Sequence, residues 1–110
     1  MKILKTLILA TVIILLLAFK YSIDTIVVTV GDTATALPTT AKVGRKYIEV
    51  QNIGSSIVYI GDATVTADET ATGGIQLTPR AVWREPYDHT VTIYGIVATG
   101  TCKVVVGEGK

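Results

Sequence analysis

Residues that carry chemistry are scarce in this chain. Its 110 residues include one cysteine, Cys102, and one histidine, His89. A lone cysteine cannot close an internal disulfide, so an exported domain of this kind relies on its core or on neighbouring copies. One histidine and one cysteine cannot fill a four-coordinate zinc site without distant carboxylates. The serines are Ser22, Ser55 and Ser56, and none lies in a nucleophile motif. His89, beside Asp88 in "EPYDHT", therefore has no positioned partner for a catalytic dyad and reads as a loop histidine ahead of a strand. No enzymatic activity, cofactor or metal is expected. Basic runs are also missing. Residues 23–110 hold seven Lys/Arg against nine Asp/Glu, a net of −2. That leaves no electrostatic footprint for nucleic acid.

What is present begins with "TLILATVIILLLAF", residues 6–19, a run without charge. Lys2 and Lys5 precede it and Lys20 follows it. A soluble core helix would carry polar residues at helical spacing, whereas this run is apolar all round. Burial gains roughly 1.5–3 kcal/mol per large side chain, so the run leaves water for a membrane or an export route. An anchor built on Leu7, Ile8, Leu9, Val12, Ile13, Ile14, Leu15, Leu16 and Leu17 has the required length, since Ile3 to Tyr21 makes 19 residues. Lys5 and Lys20 can snorkel to the headgroups and Tyr21 suits an interface. A cleaved signal peptide needs a small-residue site, and the residues after the run offer only a cut after Ala18. Both readings export the remainder. The excess of lysine before the run puts the N-terminus in the cytoplasm or interior and the rest outside. The expected division is a transmembrane or signal segment over 1–22 and one small exported domain over 23–110.

That domain reads as all-β. Thr, Val, Ile, Tyr and Gly dominate after residue 22, and helix formers are sparse. Ile48 and Val50 alternate with Tyr47, Glu49 and Gln51. Ile26, Val28 and Val30 share a face, as do Cys102, Val104 and Val106, and Val91 with Ile93. "SIVYI" at 56–60 is apolar on both faces and reads as a central strand. Asn52-Ile53-Gly54-Ser55 and Thr99-Gly100-Thr101 read as hairpin turns. Pro38, Pro79 and Pro86 lie outside the strand patterns. About six or seven short strands predict a small antiparallel β-sandwich, jelly-roll or immunoglobulin-like, behind a single hydrophobic helix.

The order "ATALPTT", "GRKYIEVQNIGSSIVYIGDATVTA", "GIQLTP", "IYGIVATGTCKVVVGE" resembles a group of small β-sandwich virion proteins of tailed phages and related viruses. The shared features are a Leu-Pro turn, an Arg-led strand ending in Gln-Asn, a Val-Tyr-Ile-Gly strand and a closing Tyr-Gly hairpin ending in Glu. The resemblance covers roughly residues 28–108 and consists of strand and turn residues. It implies a structural role in a virion, with repeated copies or other virion proteins as partners. The hydrophobic N-terminus departs from that group and suits a spike or minor coat protein of a virus with an internal membrane.

The remaining candidates are few. Cys102 reads as a small buried hydrophobe, with an intermolecular disulfide as the other reading. Asp62, Asp68 and Glu69 read as a solvated acidic loop, since their spacing does not match an EF-hand calcium loop. Trp83 and Tyr87, with Tyr94, could form an aromatic platform for a glycan or a protein, with Arg84 and Glu85 adding polar contacts. The expected function is a membrane-anchored, non-enzymatic structural or attachment protein that self-associates and contacts membrane lipid through its N-terminus. The other reading is a cellular surface or secreted binding module, glycan-binding or pilin-like.

Overall fold

The structure, a computed structural model, describes residues 23–110. The expected anchor, from Leu7 to Leu17, lies outside the described residues. Among the described residues there are eight strands and no helix, and so no helix long and apolar enough to cross a membrane.

The strands are β1 (Ile23–Val30), β2 (Thr35–Ala36), β3 (Tyr47–Asn52), β4 (Val58–Gly61), β5 (Ile75–Leu77), β6 (Val82–Glu85), β7 (Tyr94–Ile96) and β8 (Cys102–Gly109). They form two four-stranded sheets, ordered β1-β8-β3-β6 and β2-β7-β4-β5. All the strand pairs are antiparallel. This is the jelly-roll order, in which the chain keeps crossing from one sheet to the other.

That order corrects both hairpin expectations. β3 and β4 are consecutive but lie in different sheets, and so do β7 and β8. Residues 53–57 and 97–101 are corners between layers. Among sequential strands, only β4 and β5 pair with each other. A short turn rich in Gly, Asn and Ser serves a hairpin or a corner equally well. At the first corner the side chain of Asn52 decides. Its Nδ2 donates to the Ser56 carbonyl at 2.7 Å and to the Leu77 carbonyl at 2.8 Å. Its Oδ1 accepts from the Gly54 amide at 2.9 Å. Asn52 is fully buried, so these bonds replace the water that its amide has lost.

The core lies between the sheets. Ile48, Val50, Val104 and Val106 face Val58, Ile60, Leu77 and Val97, with Val30, Leu37 and Ile93 closing the ends. Each is 4 % exposed or less, and each gains about 1.5–3 kcal/mol from burial. Gly95 in β7 lets the layers close, since a Cβ there would stand 2.9 Å from Leu37 Cδ1 and 3.3 Å from Val58 Cγ1. Cys102 joins this face as expected. It is a free thiol, 4 % exposed, with Sγ 3.2 Å from Asn52 Oδ1. Burial removes the alternative of an intermolecular disulfide. Ile26 departs from expectation. It shares a face with Val28 and Val30 but is 53 % exposed, because the short β2 does not reach far enough to cover it.

The second difference concerns "VTIYGIV". Its alternation predicts a strand from Val91, but β7 starts at Tyr94. The backbone ahead of it is held by a side chain instead. Arg45, 2 % exposed, donates from Nε to the Tyr87 carbonyl at 3.2 Å, and from Nη2 to the carbonyls of Asp88 at 2.9 Å and Val91 at 2.6 Å. Its Nη1 forms an ion pair with Glu108 Oε2 at 3.0 Å. The same Glu108 oxygen accepts the Lys42 amide at 2.7 Å. One guanidinium thus joins the loop before β3, the loop between β6 and β7, and the end of β8.

Removing one partner of such a buried pair costs about 3–5 kcal/mol. Arg45→Met should lower unfolding free energy by that amount in urea titration. The double variant Arg45→Met/Glu108→Leu should recover little of it, because the three loop carbonyls stay unpaired.

Candidate functional site

Only part of the expected aromatic platform comes together. β6 pairs with β3 so that Trp83 stands opposite Val50 and Arg84 opposite Glu49. Neighbouring residues in a strand point to opposite faces. Trp83 therefore turns inward against the core, and Arg84 turns outward. The Arg84 guanidinium lies 4.0 Å from the centroid of the Tyr47 ring, a cation–π contact on the outer surface. There it lines a shallow groove with Lys46, Tyr47, Glu85 and Pro86. Arg84 does not share a site with Trp83. A Cβ at Gly109 would overlap the Tyr47 ring, so the glycine at the end of β8 gives that tyrosine its seat.

Trp83 and Tyr87 do meet. Their ring centroids are 6.0 Å apart and the planes are inclined at 60°. The chain leaves β6 at Glu85, and Arg45 then holds the backbone at Tyr87. This returns the Tyr87 ring to the tryptophan. The two rings border a cleft of about 230 Å³ with Ile60, Asp62, Ile75, Val91 and Thr92. The cleft opens on the flank where β5 and β6, the edge strands of the two sheets, come together. Tyr94, also named from the sequence, belongs to β7 and does not line it.

The acidic residues have structural work. Asp62 Oδ1 accepts from the amide of Thr64 at 2.8 Å and from its hydroxyl at 2.7 Å. Asp88 Oδ1 does the same with Thr90, at 2.8 and 2.5 Å. Asp68 Oδ1 takes the Thr70 amide at 3.1 Å and hydroxyl at 2.6 Å, and the Thr66 hydroxyl at 2.9 Å. Three Asp-x-Thr triplets thus form the same side-chain-closed turn. The repeated triplet is legible in the sequence and is the signal that a reading of Asp62, Asp68 and Glu69 as one acidic cluster passes over. Among the described residues, no group of three or more His, Cys, Asp or Glu side chains is placed to hold a metal ion. His89 is the exposed middle residue of the third triplet.

No family model matches the chain, and no curated protein matches it. Solved structures give distant likenesses. One is to apo-HppE in its crystal form, at 15% sequence identity and a TM-score of 0.47, covering 79% of this chain. The chain spans 41% of the length of that protein. Another is to a de novo designed double-stranded β-helix solved by NMR, at 11% identity and a TM-score of 0.34, covering 83% of this chain and 99% of the design. Neither likeness carries a function to this chain.

In each triplet the threonine hydrogen bonds hold the aspartate below its ordinary value of 3.8. Groups whose folded value is depressed stabilise the fold above the unfolded value and lose that contribution as pH falls through the folded one. The loops should therefore keep their full stability down to pH 3.8 and loosen only in stronger acid. Hydrogen exchange of the Thr64, Thr70 and Thr90 amides across that range should show protection lost below, not above, the ordinary aspartate value.

Proposed function

We propose that this protein is a non-enzymatic structural or attachment component, carried at a membrane by its hydrophobic N-terminal segment and built into an assembly of copies, as in a virion. One observation carries the reading, the free edge of β1. Among the described residues, this strand pairs with β8 on one side only. It runs for eight residues without proline, and Ile23, Ile26 and Val27 are 47–54 % exposed. Natural edge strands are commonly blunted by lysine, proline, a bulge or a covering loop. Here the single charge in the strand, Asp24, is already engaged by Lys42. An extended, apolar, unblunted edge suits pairing with another chain. The strand also follows directly on residues 3–21, so copies held in one membrane would bring their edges close.

The jelly-roll architecture carries viral capsid and lectin domains as well as cupins. Strand order alone therefore does not choose among them, since function resides in sites and surfaces. Two further points favour the structural reading. Arg45, Glu108 and the three depressed aspartates are engaged in holding loops. Arg45, Asn52, Gly95 and Glu108, four of the motif residues that carry the phage resemblance, take part in closing this sandwich.

The test uses the full-length chain from its producing cells, separated into soluble, membrane and particle fractions. Intact mass should show the complete chain in membranes or particles, and cross-linking should give a defined oligomer that Val27→Lys abolishes without changing the thermal midpoint. A soluble chain shortened by about 18–22 residues would remove the anchored reading. A monomer at every concentration would remove the assembly.

A further inference from the structure

We infer that the cleft beside Trp83 and Tyr87 is a binding site for one neutral pyranose ring, the end of a glycan chain. The inference stands on the cleft alone and holds whether or not the domain assembles as proposed above.

The cleft measures about 230 Å³, below the roughly 300–1,000 Å³ that drug-sized ligands and cofactors occupy. A single small ring is the size it admits. One wall is aromatic. The Trp83 and Tyr87 rings, 6.0 Å apart, lie within the 4.5–7 Å of directly interacting aromatic pairs. They lie against each other with their planes inclined at 60°, as two adjoining faces of the cleft. Two ligand chemistries suit aromatic faces. A cation needs one ring face, and a pyranose also needs hydrogen-bonding partners beside it, which Asp62 and Thr92 supply. The flat C–H face of a pyranose needs an open aromatic wall, whose negative ring face attracts its partly positive hydrogens.

The polar groups agree. Asp62 is the single charged residue of the lining, with Thr92 close by as a hydroxyl donor and acceptor. Both bonds from Asp62 to Thr64 use Oδ1, which leaves Oδ2 to accept sugar hydroxyls. A carboxylate in the lining repels acidic sugars, so the site selects neutral ones. Ile75 and Val91, 56 and 40 % exposed, would lose water contact when the ring enters. Arg45 holds the backbone at Tyr87, which keeps the start of that side chain beside the tryptophan.

Trp83 is the only tryptophan, so its fluorescence reports this site alone. The full-length chain in a sugar-free zwitterionic detergent should be titrated with glucose, galactose, mannose and N-acetylglucosamine. N-acetylneuraminic acid and choline serve as charged comparisons. At least one neutral sugar should give a saturable change in emission. Tyr87→Ala should raise its Kd by roughly tenfold or more, about 1.4 kcal/mol. Asp62→Asn, which retains an oxygen for the Thr64 turn, should weaken binding as well, so the test does not depend on one variant folding. Arg84→Ala, on the opposite face of β6, should leave Kd unchanged. A flat signal across all the neutral sugars would overturn the inference. So would a response confined to N-acetylneuraminic acid or choline, or a sugar response that neither Tyr87→Ala nor Asp62→Asn weakens.

Discussion

The guanidinium of Arg45 is the interaction on which this sandwich depends. Two sheets with an apolar interior close readily along their length, where valine and isoleucine side chains meet. They do not close readily at their ends, where loops bring backbone carbonyls into a region with little water. Arg45 settles one end by pairing Glu108 of the last strand and donating to three carbonyls of the loop between β6 and β7. Arginine suits this task because its several donors spread in a fixed plane, and lysine would offer a point charge. A buried ion pair taken alone is weak support for a fold. This one matters because the cation also ties three backbone carbonyls of the loop between β6 and β7 to the pair.

Asn52 does the corresponding work at the other end of β3. Its side chain ties the corner at Gly54 and Ser56 to β5 through Leu77, and meets Cys102 of β8. Arg45, just before β3, and Asn52, its last residue, are seven apart in sequence and together organise both sheets. Small domains hold only about 5–15 kcal/mol of net stability, so polar anchors worth a few kcal/mol each weigh as much as one or two core side chains. The same arrangement reaches the aromatic cleft. Arg45 fixes the backbone of Tyr87, and Tyr87 lies against Trp83.

Much of the fold class was legible in the sequence. Strict alternation at Tyr47–Asn52 and in Cys102–Val106 marked real strands, and their inward residues are the core. β2, with two residues, and β5, with three, are too short for alternation to register, and in β6 Val82 and Trp83 precede Arg84 and Glu85, so no alternation shows. The assignment of strands to sheets was not legible either. Gly54 and Gly100 turn the chain, but whether it turns back or crosses depends on which distant strand it meets. The pairing of Trp83 with Tyr87 hides behind the same limit, since a strand end and a clamped loop bring them together. The separation of Arg84 from Trp83 follows from strand alternation once β6 is recognised. Nothing in the sequence around Arg45 or Glu108 sets them apart from other charges beside strands, and 63 residues separate them. No local pattern announces a partnership over that distance.

Hydrogen exchange of the full-length Arg45→Lys chain, compared with the parent, measures the clamp most directly. Lysine keeps the charge beside Glu108 but cannot reach three carbonyls at once. The amides over 86–93 and 42–46 should then exchange faster, while those of the β3–β8 and β4–β5 ladders keep their protection. Unchanged exchange in both loops would contradict the account, because the loops would then be held by something other than Arg45.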